Sequence, residues 1–95
     1  MSAEVVDNPS NTRYELVIDG MTAYVTYERA PGQITFIHTE VPPALSGHCV
    51  GSTLARTVLE MARANGDKVV ARCPFVAAFV RNHPEFQDLL AEPLS

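Results

Sequence analysis

The sequence has few cysteines, few basic residues and no long apolar run, and each shortage argues against a class of protein. Its 2 cysteines, Cys49 and Cys73, fall in different predicted elements and lack the paired spacing of secreted, disulfide-linked domains. No apolar stretch approaches the length of a membrane span, and the polar, acidic N-terminus is unlike a signal peptide. We therefore expect a cytoplasmic protein without membrane association.

The balance of charge argues against nucleic acid as a partner. Lys and Arg total 7 against 11 Asp and Glu, which gives a net charge of −4. Binding a nucleic-acid backbone requires a basic face. A small anion can still be held locally by the amides at the start of a helix. The 95 residues, 46% of them hydrophobic and 19% charged, have the composition of one folded domain.

The first half of the chain predicts an antiparallel sheet. A polar flexible lead-in over residues 1–11 is expected before it. The β-branched and aromatic runs then predict three strands, at residues 13–18, 21–28 and 33–41. Asp19-Gly20 between the first two is a strong hairpin signal. A three-stranded meander follows from these turns.

The second half alternates helix and strand. Apolar residues at helical spacing predict a helix over residues 50–65, which ends at Asn65-Gly66. A strand at 68–73 is ended by Pro74, and a second helix spans 75–82. The helix between the third and fourth strands makes that pair parallel if they are adjacent. The predicted fold class is α+β, a mixed sheet with an antiparallel meander and one parallel strand pair.

The junction between the third strand and the first helix carries the most chemical information. Residues 45–51, Leu-Ser-Gly-His-Cys-Val-Gly, form a glycine-bearing loop that leads into a helix. Free backbone N–H groups and the positive end of a helix meet there, which suits a phosphate. A turn of this kind can also contain glycines for backbone reasons alone, so both interpretations stay open at this point.

A resemblance to a known family covers residues 13–90. The sequence HTEVPPALSGHCVGSTLARTVLEMARANG, followed by KVVARCPFVAAFVRNHPEF, resembles the GNAT N-acetyltransferase superfamily, specifically its small, single-domain, bacterial-type branch. The pyrophosphate-loop pattern of that family is Arg or Gln, two residues, Gly, one residue, then Gly or Ala. It falls on residues 46–51. Ser46 replaces the usual long polar residue, Cys49 replaces a glycine, and Gly51 is kept.

The resemblance implies that acetyl-CoA is bound between the third and fourth predicted strands. Its pyrophosphate would lie on the loop and helix amides, with the acetyl carbonyl near the backbone N–H of Val41. The implied cofactor-binding residues are Val41, Ser46, Gly47, His48, Cys49, Val50, Gly51, Ser52 and Phe79.

Three residues are candidates for catalysis under the same resemblance. Glu40 is the leading general base and His38 the second, since alternation places both on one face of a strand. Cys73 would present a thiol near the sulfur of the cofactor. Each has an ordinary structural role as the alternative: a solvated carboxylate, a packed histidine and a buried thiol. The helix tyrosine that the superfamily often uses as an acid has no counterpart around Phe79.

Three functions remain open from the sequence. The first is acetyl transfer from acetyl-CoA to an unidentified amine, on a small molecule or a protein, by direct attack on the thioester. The second is a non-catalytic module that binds CoA or acyl-CoA. The third is a thiol-reactive protein using Cys49 or Cys73. The histidines and cysteines show no metal-ligand spacing, so no metal is predicted. The chain is expected to be a monomer or a homodimer.

Overall fold

The computed structural model describes residues 5–48 and 50–91, and for residues 46–48 it describes the backbone alone. The described chain forms five strands, two α-helices and three 3-10 helices. The strands are β1 Val5–Asn8, β2 Arg13–Ile18, β3 Met21–Ala30, β4 Gln33–Glu40 and β5 Lys68–Ala71. The α-helices are α1 Val50–Asn65 and α2 Pro74–Arg81. The 3-10 helices are Pro9–Asn11, Pro43–His48 and Pro84–Leu89.

All five strands form one sheet in the order β1-β2-β3-β4-β5. The pairs β1·β2, β2·β3 and β3·β4 are antiparallel, and β5 is parallel to β4. Since α1 connects β4 to β5, the parallel pair arises from a helical crossover, as predicted. The mixed α+β fold expected from the sequence is confirmed.

The meander has one strand more than the sequence predicted. Val5–Asn8, within the expected flexible lead-in, pairs with β2, with Val5 opposite Leu16. Pro9 then opens a 3-10 turn, and Thr12 takes a left-handed conformation with φ of 48° that returns the chain into β2. The Asn-Pro sequence therefore makes a turn between two strands, and the lead-in contains an edge strand from residue 5 onward.

The boundaries of α1 agree with the predicted helix, but the next two elements differ slightly. β5 ends at Ala71, two residues before the predicted end of the strand. α2 begins one residue earlier than predicted, at Pro74. Proline is favoured in the first turn of a helix because its missing N–H has no intrahelical partner there. Both helices keep the apolar faces that their spacing indicates.

One side of the sheet forms the core with both helices. The strand side chains on that side are buried and join one cluster with apolar residues of α1, α2 and the last 3-10 helix. The opposite side of the sheet is called here the outer face. It carries Arg13, Glu15, Tyr24, Thr26 and Glu28, which are half-buried or exposed. Among the helices of the described residues, none has the length and apolar character needed to cross a bilayer.

Candidate functional site

β4 and β5 pair along only half the length of β4. Their register runs from Gln33 opposite Lys68 to Phe36 opposite Ala71. The carbonyl of Phe36 then accepts the backbone N–H groups of both Arg72, at 3.0 Å, and Cys73, at 2.9 Å. β4 continues to Glu40 with β3 as its neighbour. The gap beside the second half of β4, where β5 has ended, is called here the notch.

A β-bulge lies at the point where the notch begins. Tyr27 of β3 pairs with Phe36, but its neighbour Thr26 pairs with His38, so Ile37 is an extra residue in β4. A bulge changes which way the following side chains point. Without it, His38 would continue the buried side of the strand.

The side chains beyond the bulge are therefore redistributed between the two faces. His38 and Glu40 lie opposite the outer-face residues Thr26 and Tyr24 and are exposed. Thr39 lies opposite the buried Val25 and is directed to the core side.

The bulge also redirects the backbone. Alternate residues of an antiparallel strand send their N–H and C=O groups to opposite sides. The backbone N–H of Tyr27 donates to the carbonyl of Thr12 at 2.9 Å, on the side of β3 away from β4. The backbone groups of Thr26 are therefore directed toward β4, and those of its partner His38 toward β3. By the same alternation, the backbone groups of Thr39 are directed toward the notch, and Val41 follows the end of the strand.

His38 and Glu40 form a polar pair on the outer face. The Nε2 atom of His38 lies 3.3 Å from the Oε1 atom of Glu40, and their side chains are 58% and 56% exposed. The ring of Tyr24 lies 6.5 Å from that of His38, and the guanidinium of Arg13 lies 4.5 Å from the centre of the Tyr24 ring. The predicted placement of both candidates on one face of the strand is confirmed, and both are accessible to a ligand.

Cys73 closes the core side of the notch. Its Sγ atom lies 3.0 Å from the hydroxyl of Thr39, and its side chain is 2% exposed. The two residues are 34 positions apart in sequence, and Thr39 was not identified as a candidate from the sequence. Cys73 immediately precedes α2, so the contact joins the second half of β4 to the start of that helix.

The loop predicted to bind pyrophosphate is ordered differently from the expectation. Residues Pro43–His48 form a 3-10 helix, in which N–H groups donate to the carbonyl three residues earlier. Leu45 bonds in this way to Pro42 at 2.9 Å. The amides of this helix are thus directed along the segment itself. Cys49 lies outside the described residues, as do the side chains of Ser46 and His48.

The first turn of α1 supplies backbone N–H groups that have no acceptor within the helix. An α-helix leaves its first N–H groups without an intrahelical acceptor. In α1 this applies to Val50, Gly51 and Ser52. The side chain of Val50 is buried, whereas Ser52 is exposed. N–H groups at the start of a helix are a general binding place for anions, so the predicted role of Val50, Gly51 and Ser52 stays a prediction.

An aromatic ring lies directly against this turn. A Cβ atom built on Gly51 would lie 2.6 Å from the Cζ atom of Phe75, closer than real Cβ contacts come. Phe75 is the second residue of α2, and 40% of it is exposed. The first turns of the two helices therefore touch through this ring, and the sequence did not single out Phe75.

Phe79, one turn later in α2, belongs to the core. It is 7% exposed, and its ring stacks on that of His83 with 3.9 Å between centres. The guanidinium of Arg56 lies 5.6 Å from the ring centre. The Nδ1 atom of His83 lies 2.7 Å from the Phe79 carbonyl, so the histidine closes the end of α2 as a capping residue.

A groove of about 270 Å³ lies between the β2–β3 turn, the 3-10 helix Pro43–His48 and the start of α1. Its lining is mainly apolar and includes the carboxylate-bearing Asp19 of the hairpin turn. The lining residues are Ile18, Asp19, Met21, Ala44, Leu45 and Val50. Across residues 5–48 and 50–91, no group of three or more His, Cys, Asp and Glu residues is placed to hold a metal ion.

Comparisons with known proteins agree with this architecture. Residues 13–89 match the family model described as GCN5-related N-acetyl-transferase. A similar solved structure is the NMR solution structure of a "GCN5-like putative N-acetyltransferase" from Staphylococcus aureus. It shares 27% identity with this chain at a TM-score of 0.73, over 95% of this chain and 89% of the other. A search of curated proteins gave no significant match.

The matched region includes β2 to β5, both α-helices and the notch between β4 and β5. It covers well over half of the chain, and the similar structure extends over nearly all of it. The chain therefore belongs to the GCN5-related N-acetyltransferase family.

Proposed function

We propose that this chain transfers an acetyl group from acetyl-CoA to an amine, by direct attack of the amine on the thioester. The observation that carries the proposal is the notch. β4 continues past the end of β5, and the bulge at Ile37 directs the backbone of Thr39 toward the notch. A strand edge of this kind can form hydrogen bonds with an extended amide-containing chain.

The described residues fit acetyl-CoA in two places. The pantetheine arm, which carries two amides, would lie along the exposed edge of β4 in the notch. The pyrophosphate would lie on the first-turn amides of α1, those of Val50, Gly51 and Ser52. This contact uses backbone donors, so it does not require the long polar side chain that Ser46 replaces. Of the other predicted residues, Gly47 and His48 precede this turn at the end of the 3-10 helix Pro43–His48.

Acetyl-CoA would supply an activated acyl group, and residues around the notch would promote its transfer. The backbone N–H of Val41 would donate a hydrogen bond to the acyl carbonyl oxygen as charge develops there. The amine would approach from the outer face, where Glu40 is exposed. The Glu40 carboxylate would accept a proton from the attacking amine, and His38, 3.3 Å away, would orient that carboxylate.

Cys73 has a packing role in this proposal. Its thiol is almost fully buried and forms a hydrogen bond with the hydroxyl of Thr39. This environment favours a thiol that packs in the wall of the notch over a thiol that acts as an exposed nucleophile. Direct attack therefore predicts that Cys73→Ser retains turnover within a few-fold. Trapping of an acetylated Cys73 on a competent time scale would replace direct attack with a covalent route.

Binding and turnover test the proposal separately. Acetyl-CoA and CoA should each raise the melting temperature, whereas a simple thiol should not, because a ligand of the folded state stabilises it. Release of free CoA should then depend on an added amine from a panel of small amines and lysine peptides. Stabilisation without amine-dependent release would identify a non-catalytic CoA-binding module. Stabilisation by the simple thiol alone would favour a thiol-reactive protein.

A further inference from the structure

The contact between Phe75 and Gly51 has a specific geometry. The Cζ atom of Phe75 is 2.6 Å from the position of a Cβ on Gly51, and Cε1 and Cε2 are both 3.3 Å from it. The equal distances show that the ring points end-on at the glycine. The ring tip therefore lies against Gly51, in the same first turn of α1 whose amides the proposed pyrophosphate site uses.

Phe75 is weakly anchored compared with the other apolar residues of α2. Val76, Phe79 and Val80 are buried in the core cluster, whereas 40% of Phe75 is exposed. Since two-fifths of Phe75 is already exposed, a change of its rotamer uncovers less buried apolar surface than a change at Val76, Phe79 or Val80 would. Its contact with Gly51 is tight but is made by the movable end of a side chain.

We propose that Phe75 is a gate on the acyl-CoA site. This inference depends on the proposed function. In the closed position the ring covers the Gly51 turn and the entrance between α1 and α2. Rotation of its side chain uncovers the amides and lets the pyrophosphate bind. The fraction of time for which the ring is open then limits how readily CoA binds.

The same contact gives Gly51 a role in the gate. A phosphate bonded to the backbone N–H of residue 51 is compatible with alanine there, and the family pattern accepts either residue. The Phe75 ring in this position is not compatible with alanine, because a Cβ would lie only 2.6 Å from its tip, closer than real Cβ contacts come. Gly51→Ala should therefore hold the ring open while retaining both the amide and the phenylalanine.

Two variants open the gate by different means and provide the test. Stopped-flow measurement of CoA association should give faster rates for Phe75→Ala, which lacks the ring, and for Gly51→Ala, which displaces it. The increase is roughly tenfold if the closed form is about nine-tenths of the population. The double variant should be no faster than Gly51→Ala alone. Val17→Ala, at a 54% exposed residue of β2, is the matched control and should keep the wild-type rate.

The outcomes separate the gate from the function. If wild type binds CoA and neither variant associates faster, the gate is wrong and the proposed function stands. If only the two variants bind CoA, the gate is supported as a block on the site. If no protein binds CoA, the proposed function fails and the gate fails with it. An NMR contact between the Phe75 ring and the Gly51 α-protons should be present in wild type and lost when CoA is added; its persistence in the complex would also overturn the gate.

Discussion

The two halves of β4 differ in how many partners hold them. The first half, Gln33 to Phe36, pairs with β3 on one side and β5 on the other, and its apolar side chains are fully buried. The second half, Ile37 to Glu40, pairs with β3 only and carries exposed polar residues. One strand thus provides both a fixed support and an accessible edge.

The fixed half is reinforced by Arg29, at the end of β3. Its guanidinium donates to the hydroxyl of Tyr14 at 2.7 Å and pairs with Asp67, just before β5, at 3.2 Å. Asp7 of β1 lies 3.9 Å away and accepts a hydrogen bond from Tyr27. These contacts join β1, β2, β3 and the start of β5 and are called here the Arg29 network.

The difference indicates that the two halves of β4 have different roles, one in stability and one in ligand binding and chemistry. A site that binds a ligand through strand edges needs backbone groups that the fold leaves unpaired, and such groups stabilise the fold little. The first half of β4 and the Arg29 network supply the stability. The second half is then free to supply the chemistry, and variants in the two halves should affect different measurements.

The largest expected effect is on stability at the fixed half. Phe36→Ala removes a fully buried ring from the residue whose carbonyl accepts the N–H groups of Arg72 and Cys73. The substitution should lower the free energy of unfolding by about 3–5 kcal/mol. Ile37→Ala, at the next residue but 39% exposed, should cost less than about 1 kcal/mol. Urea unfolding measures both. Similar losses for the two variants would remove the distinction between the halves.

The second effect is on turnover at the accessible half. Glu40→Gln should lower turnover about 100-fold, since the amide cannot accept the proton of the amine. Binding of acetyl-CoA, measured by calorimetry, should change little, because no contact with the cofactor is assigned to this carboxylate. The control is Glu28→Gln, an exposed glutamate opposite Thr35 on the fixed half of the outer face, which should keep turnover. Equal loss of turnover and binding in Glu40→Gln would show that Glu40 positions other groups of the site and does not act as the general base.

The sequence predicted the elements of the fold better than the details that form the site. The bounds of α1 agreed because its apolar period and the Asn65-Gly66 stop are local signals. The bulge at Ile37 could not be predicted, since Ile-Thr-Phe-Ile-His-Thr-Glu reads as an ordinary strand and the bulge depends on pairing with β3. β1 was missed because Asn8-Pro9 was interpreted as part of a tail.

The site contacts depend on tertiary packing in the same way. Thr39 and Cys73 lie far apart in sequence, so their contact has no local signal. Phe75 and Phe79 are one helical turn apart, and their spacing places them on similar faces. Which ring is buried is decided by neighbours, since Phe79 stacks on His83 while Phe75 lies at the exposed start of α2 against Gly51.

A smaller effect is expected from removing the centre of the Arg29 network. Arg29→Met keeps the length of the side chain but loses the hydrogen bonds to Tyr14 and Asp67. The side chain is 40% exposed, so water replaces part of what is lost, and the expected cost is about 1–2 kcal/mol in free energy of unfolding. CoA binding should be unchanged. A weakened CoA affinity would show that the two halves are coupled.

The last expected effect is absent at neutral pH and develops only gradually, as a dependence of stability on alkaline pH. Burial, and then the hydrogen bond to Asp7, raise the pKa of Tyr27 from 10.0 to about 12. Below pH 10 the hydroxyl is protonated in the folded and unfolded chains alike, and its contribution is fully present. Between pH 10 and about 12 the unfolded chain loses this proton more readily, so stability should fall by about 1 kcal/mol per pH unit.

Tyr27→Phe tests this assignment, because phenylalanine cannot ionise. Urea unfolding at pH 8, 10 and 11.5 should show a shallower loss of stability for the variant than for wild type. Some loss should remain in the variant, since burial also raises the pKa of Tyr14 in the same network. Equal slopes for the two proteins would mean that Tyr27 ionises alike in both states. The fixed half of the sheet would then be more open to water than its packing indicates.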